Sequence, residues 1–228
     1  MFSTDELCSL RWDPTRQTVE IIDQTLLPHT LRWCHLDSMD SFCHAITSMQ
    51  VRGAPLIGIT AAYGLAHALQ SDSSSENLEH ARATLLATRP TAINLHWALQ
   101  RVVQAVAALP PEERAQQALA CAHRLREEDI VNCAQIGEQG LQLLQALPVG
   151  KTLNIMTHCN AGWLATIQWG TALAPIYKAQ AAGLPVHVWV SETRPRNQGM
   201  NLTLGVATRG GALHGGGRQQ LRRVDAAR

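Results

Sequence analysis

Cys159 stands between His158 and Asn160, directly after the apolar run Leu153 to Met156 and shortly before Gly162. A thiol at the point where a strand gives way to a polar turn is placed to do chemistry. The pattern predicts a helix over Leu164 to Gln180 behind that turn, and backbone N–H groups at a helix start favour a thiolate over a thiol. Cys159 is therefore the candidate reactive group, with His158 as a neighbouring positive charge. A second loop, Glu192 to Gln198, follows the run Val186 to Val190 and carries Arg194, Arg196 and Gln198. Such side chains supply the directed hydrogen bonds that a phosphosugar requires. Glu192 reads either as an acid/base group or as the ion-pair partner of Arg194, and the pairing is favoured. Both loops lie beyond strand-like runs, where open α/β sheets carry their ligands.

A third candidate is Arg52-Gly53-Ala54, ahead of Pro55. Free N–H groups at a helix entry, with an arginine fork beside them, suit a phosphate. Arg89, next to Pro90, is of the same kind. Cys8, Cys34, Cys43, Cys121 and Cys133 read as inert packed thiols. The six cysteines form no CxxC pair, so neither a zinc site nor a disulfide framework is indicated. His35, His44, His67, His80 and His96 lack metal-ligand spacing, and no glycine-rich dinucleotide or P-loop motif occurs.

The elements that must position these groups follow from periodicity and punctuation. Leu10 to Trp12, Thr18 to Ile22 and Thr30 to His35 predict a short antiparallel unit. Helices are predicted from a cap at Asp37 or Ser38 to Met49, then over Leu56 to Leu69, 77–87, Ala92 to Ala108, and from Pro110, with a kink, to about Leu147. Gly58, Ala61, Ala62, Gly64 and Ala66 give the second helix a small-residue surface for close packing. After Lys151 the order becomes strand, helix, strand, which is one βαβ unit and implies a parallel sheet. The fold class is α/β. A mainly helical N-terminal domain with a small antiparallel β element (1–148) precedes an incomplete Rossmann-like parallel α/β domain (149–203). Residues 204–228 read as loop or disorder.

Composition agrees with a globular chain. Of its 228 residues 46% are hydrophobic and 16% charged, enough to bury a substantial core. No apolar run reaches the ~20 residues of a membrane span. Met1 to Leu10 carries Asp5 and Glu6 and lacks the pattern of a secretory signal. With scattered cysteines this predicts a reducing, cytoplasmic setting. Residues 1–203 hold 14 basic and 17 acidic side chains, whereas 204–228 hold five Arg and one Asp. A basic tail is a possible nucleic-acid contact, but its glycine-rich, aperiodic character favours an origin unrelated to binding.

Four motifs, in order, resemble the methylthioribose-1-phosphate isomerase family: Val51-Arg52-Gly53-Ala54-Pro55-Leu56-Ile57-Gly58, Arg89-Pro90-Thr91-Ala92-Ile93-Asn94-Leu95, Thr157-His158-Cys159-Asn160-Ala161-Gly162, and Glu192-Thr193-Arg194-Pro195 with Gln198-Gly199 and Leu202-Thr203. The resemblance spans about residues 8–203. It implies conversion of 5-methylthioribose 1-phosphate to 5-methylthioribulose 1-phosphate in methionine salvage, without metal, nucleotide or other cofactor. It assigns a catalytic role to Cys159 and substrate contacts to Arg52, Gly53, Ala54, Arg89 and Gln198. Partners would be a small phosphosugar and a second copy of the chain, with no nucleic acid and no membrane. Ribose-1,5-bisphosphate isomerases and regulatory subunits of a translation-factor nucleotide exchanger share the superfamily and are the alternatives.

The family pattern continues past Leu202-Thr203 into Ala-Trp-Glu-Leu, further strands, a catalytic Asp and an Asn-Lys pair. Leu204 to Arg228 instead contains six Gly and five Arg. A frameshift after Thr203 accounts for this departure, and the expectation is a truncated, inactive form with bare apolar sheet faces and poor solubility. Sequencing the gene across codon 203 tests it. A neighbouring frame should encode Trp-Glu-Leu and the missing strand and loop; soluble, monodisperse protein with normal turnover would overturn it.

Overall fold

A computed structural model describes residues 8–147, 152–192, 196–204 and 221–224. The chain forms two units. One comprises Ser9–Thr25 and Arg32–Asp129, and the other Met1–Cys8, Leu26–Leu31 and Ile130–Arg228. They are called here the first and second units. The architecture is α/β and helix-rich.

In the first unit β1 (Leu10–Asp13), β2 (Thr18–Ile22) and β3 (Trp33–Leu36) form an antiparallel sheet in that order. Asp13 turns the chain after β1, its Oδ1 accepting the N–H groups of Thr15 and Arg16, a short-range device typical of Asp. Register pairs Leu10 with Ile21 and Val19 with Leu36, and all four are buried. The alternate positions carry Arg11, Glu20 and His35, joined through Glu20. One face is apolar and the other charged, the usual division in an antiparallel sheet.

Four helices follow: α1 (Met39–Thr47), α2 (Ala54–Ser71), α3 (Ser75–Thr88) and α4 (Ile93–Val106). Ser38 and Ser41 cap α1 reciprocally, and Ser74 caps α3. Every residue of α2 from Leu56 to Ala66 is buried, so it is the central helix, apolar on all sides. Its small residues do what the sequence pattern predicts. A Cβ on Gly58 would lie 2.7 Å from the Asn94 carbonyl oxygen, and one on Gly64 would lie 3.1 Å from Phe42. α5 (Pro111–Gln145) is one continuous helix whose first part belongs to the first unit and whose remainder belongs to the second. No helix among the described residues is long and apolar enough to cross a membrane.

In the second unit β4 (Leu153–Thr157), β5 (Val186–Ser191) and β6 (Leu221–Val224) form a parallel sheet with β5 in the middle. Val186, Val188 and Val190 pack on Leu173, Ile176 and Ala179, with Leu141 and Leu144 of α5 alongside. On the opposite face Met156 is 65% exposed, and Trp189 donates its indole N–H to Asn154. Two expectations change here. The predicted helix over Leu164 to Gln180 is instead one 3-10 turn, Trp163–Ala165, then a loop, then α6 (Ala174–Ala181). Trp169 at φ 66° and Gly170 at φ 77° break it, because left-handed residues cannot continue a right-handed helix. The sequence pattern predicts no strand after Thr203, yet Leu221–Val224 pairs along the free edge of β5. Strand addition needs only main-chain partners, so weak apolar patterning does not prevent it. The reading of 205–220 and 225–228 as loop or disorder lies outside the described residues.

Asp23, buried in the first unit, ties the end of β2 to two later segments. Its carboxylate accepts from Thr25, Arg32 and Gln50. Burial pushes its pKa up, but the hydrogen bonds from Thr25, Arg32 and Gln50 outweigh that and leave it below the ordinary value. The resulting stabilisation is present above the ordinary carboxyl pKa of 3.8 and is lost as pH falls through the depressed folded-state value. Asp23→Asn should cost about 2 kcal/mol at neutral pH. In urea unfolding the gap between the two proteins should narrow by about pH 3; an equal gap at both pH values would contradict this account.

Candidate functional site

The Arg52-Gly53-Ala54 segment opens α2. Gly53 is the N-cap residue at φ 99°, in the left-handed region that side chains disfavour. Arg52 is half-buried, donating from Nη2 to the Gln24 carbonyl at 2.9 Å and from Nε to the Met49 carbonyl at 3.3 Å. Arg89 ends α3 as its C-cap residue; Pro90 behind it disfavours further helix. Its carbonyl accepts the N–H of Ala92 just before α4. Gly58, about one turn into α2, packs on Asn94, the second residue of α4, so the starts of the two helices lie near each other. The first unit thus holds Arg52, Gly53 and Ala54 at the start of α2 and Arg89 between α3 and α4.

Cys159 and Gln198 belong to the second unit. Thr157 pairs with Val190, so β4 and β5 release their following residues at the same edge. His158 Nδ1 lies 2.9 Å from Ser191 Oγ across that edge. Cys159 follows at φ 66° and, of the six cysteines, it is the exposed one. Cys8, Cys121 and Cys133 are buried, as expected of packed thiols, while Cys34 and Cys43 are half-buried. Burial raises the pKa of Cys43. The long helix start invoked for Cys159 is the single turn Trp163–Ala165, so what distinguishes this thiol is exposure and backbone geometry.

The loop bearing Cys159 is held by main-chain contacts. The Ala161 carbonyl accepts the N–H groups of Thr171 and Leu173. Gly170 packs so tightly that a Cβ there would lie 2.4 Å from the Gly162 carbonyl carbon. The Tyr177 hydroxyl accepts from the Trp163 N–H, and burial pushes the pKa of this phenol far up. Thr157 Oγ1 and Asn160 Nδ2 are buried without a hydrogen-bond partner among the described residues. Buried polar atoms ordinarily have partners, which sets these two apart within the turn.

The expected pairing of Glu192 with Arg194 falls on a residue outside the described ones. The buried Glu192 carboxylate accepts the N–H groups of Gly199 and Met200, each at 3.0 Å. Arg196 is exposed and Gln198 is half-buried. Neither this clamp nor the His158–Ser191 contact was found in the sequence, because each joins residues of separate segments and has no local signature.

The model of the initiation factor 2 subunit family matches residues 50–211, most of the chain. The chain belongs to that family. Among initiation factor 2 subunit family members, a methylthioribose-1-phosphate isomerase of Dechloromonas aromatica (strain RCB) is 58% identical over 84% of this chain and 54% of its own length. One from Methylobacterium nodulans is 55% identical over 84% of this chain and 53% of its own. The four-motif resemblance is thus borne out, and the chain spans about half the length of the curated relatives it matches. A 5-methylthioribose 1-phosphate isomerase structure from Pyrococcus horikoshii OT3 superposes at a TM-score of 0.81 with 29% identity, covering 98% of this chain and 62% of that one. A structure described as translation initiation factor eIF-2B, subunit delta, from A. fulgidus superposes at 0.79 with 33% identity, covering 96% and 62%.

Two glycines test the packing of the Cys159 loop. Gly170 and Gly183 have φ of 77° and 78°, but nothing lies within 4 Å of a Cβ built on Gly183. Gly183→Ala should cost about 1 kcal/mol, the left-handed penalty alone. Gly170→Ala should cost clearly more and alter the alkylation rate of Cys159, because the loop must move. Equal urea midpoints for the two variants would refute that difference.

Proposed function

We propose that the chain carries the thiol and the phosphosugar contacts of an aldose–ketose isomerase acting on 5-methylthioribose 1-phosphate in methionine salvage. The anomeric phosphate blocks free ring opening to an aldehyde. The ring oxygen must therefore be protonated as the ring opens, after which hydrogen moves from C2 to C1. In this reading Cys159 carries the proton transfer, and Arg52, Gly53, Ala54, Arg89 and Gln198 are the substrate contacts. The reading invokes no metal or nucleotide. The observation that carries it is the exposed Cys159 thiol at the C-terminal edge of β4, with the buried polar atoms of Thr157 and Asn160 in the same turn.

The reading includes a domain division at 1–148 and 149–203, a non-family tail at 204–228, of which 204–211 fall within the family match, a cytoplasmic setting and a homodimeric assembly. The ribose-1,5-bisphosphate alternative would set a second phosphate near Trp12 and Trp33. Trp12 stacks on Tyr63, and Arg11, over Trp33, is ion-paired with Glu20, which favours an apolar substituent there. The likeness to the A. fulgidus structure supports a non-catalytic subunit as the second reading.

Titration of the chain with 5-methylthioribose 1-phosphate, followed by phosphorus NMR, tests the proposal. Saturable binding is expected, weakened about tenfold or more by Arg52→Ala through loss of a charge-assisted contact. Any ketose formed should vanish in Cys159→Ala. Absence of binding, or equal affinity in Arg52→Ala, would overturn the reading.

A further inference from the structure

The end of β5 presents two buried polar residues in succession, Ser191 and Glu192, each 3% exposed. They reach in different directions. Ser191 meets His158 Nδ1, at the root of the Cys159 turn. Glu192 Oε1 accepts the Gly199 N–H, and Oε2 accepts that of Met200. Those amides begin the π-helical turn Gly199–Leu204. Charge-assisted bonds from one carboxylate to successive amides at a helical start are strong and directional.

The approach is also sterically close. A Cβ on Gly199 would lie 2.8 Å from the Ser191 carbonyl oxygen and 3.2 Å from Glu192 Oε1. On the other side of Gln198, Asn197 adopts φ 46°, and its carbonyl accepts the Asn201 N–H at 2.8 Å. Gln198 is thus bracketed by a left-handed residue and two clamped amides. A π-helical turn at a strand end is an uncommon backbone form that recurs at functional sites.

We infer that Glu192 is a positioning residue: it clamps the Gly199–Met200 turn and so sets the direction in which Gln198 leaves the C-terminal edge of the sheet. This rests on the reading of Gln198 as a phosphosugar contact. Glu192 acts through that turn, while Ser191 anchors the Cys159 turn from the same strand end.

The test uses the full chain with Glu192→Gln, Gln198→Ala and the double variant. Glu192→Gln keeps the size but replaces one acceptor oxygen with an NH2 that faces an amide N–H. Affinity for 5-methylthioribose 1-phosphate should fall about tenfold, and the double variant should bind no more weakly than Gln198→Ala. Hydrogen exchange at Gly199 and Met200 should accelerate selectively, with β4 and β5 amides unchanged. Additive losses in the double variant, or unchanged exchange at Gly199 and Met200, would overturn the inference. If the wild-type chain binds no sugar, the reading of Gln198 fails; selective exchange then still supports the clamp, and unchanged exchange still refutes it. Should Glu192→Gln expose the sheet amides, Glu192→Asp, with the charge on a shorter arm, takes its place under the same expectations.

Discussion

The parallel pairing of β4 with β5 is the constraint on which the second unit's candidate site depends. Parallel strands end at the same edge, and the register Thr157 to Val190 leaves the next residues of each abreast. His158 therefore meets Ser191, and Cys159 follows directly. A shift of one residue would turn these side chains to the opposite face and separate the contact. The buried valines of β5 against α6 resist such a shift, since Val186, Val188 and Val190 would all leave the apolar side.

Close backbone approach is the second theme. Gly162 against Gly170, and Gly199 against Ser191, bring main chain to main chain where no Cβ fits. Gly58 does the same between α2 and α4. In each case a candidate residue is fixed through its backbone: Cys159 by the first, Gln198 by the second, and the Arg52 and Arg89 segments by the third. Rigid placement of polar groups lowers the reorganisation that ligand binding or proton transfer requires.

Much of this was legible beforehand where the signal is local. Ser38 as a cap, Pro at helix starts, the small residues of α2 and the turn at Asp13 act over a few residues, and the corresponding elements form close to their expected bounds. The predicted helix over Leu164 to Gln180 fails for a physical reason. Its apolar spacing suits a helix, but packing of Gly170 on Gly162 and the left-handed Trp169 demand a loop. The strand at Leu221–Val224 was illegible because its cause is the open edge of β5, not its own composition.

From its sequence alone this chain is an α/β member of a recognisable family, with Cys159, Arg52, Gly53, Ala54, Arg89 and Gln198 as candidate residues. Motif order and residue type carry that information, and both are written along the chain. Tertiary structure alone decided that Glu192 clamps the amides of Gly199 and Met200, and that Ser191 meets His158. Whether an oxygen finds an amide or a guanidinium depends on which backbone returns within about 3 Å of it, and only the packed sheet and its loops set that distance.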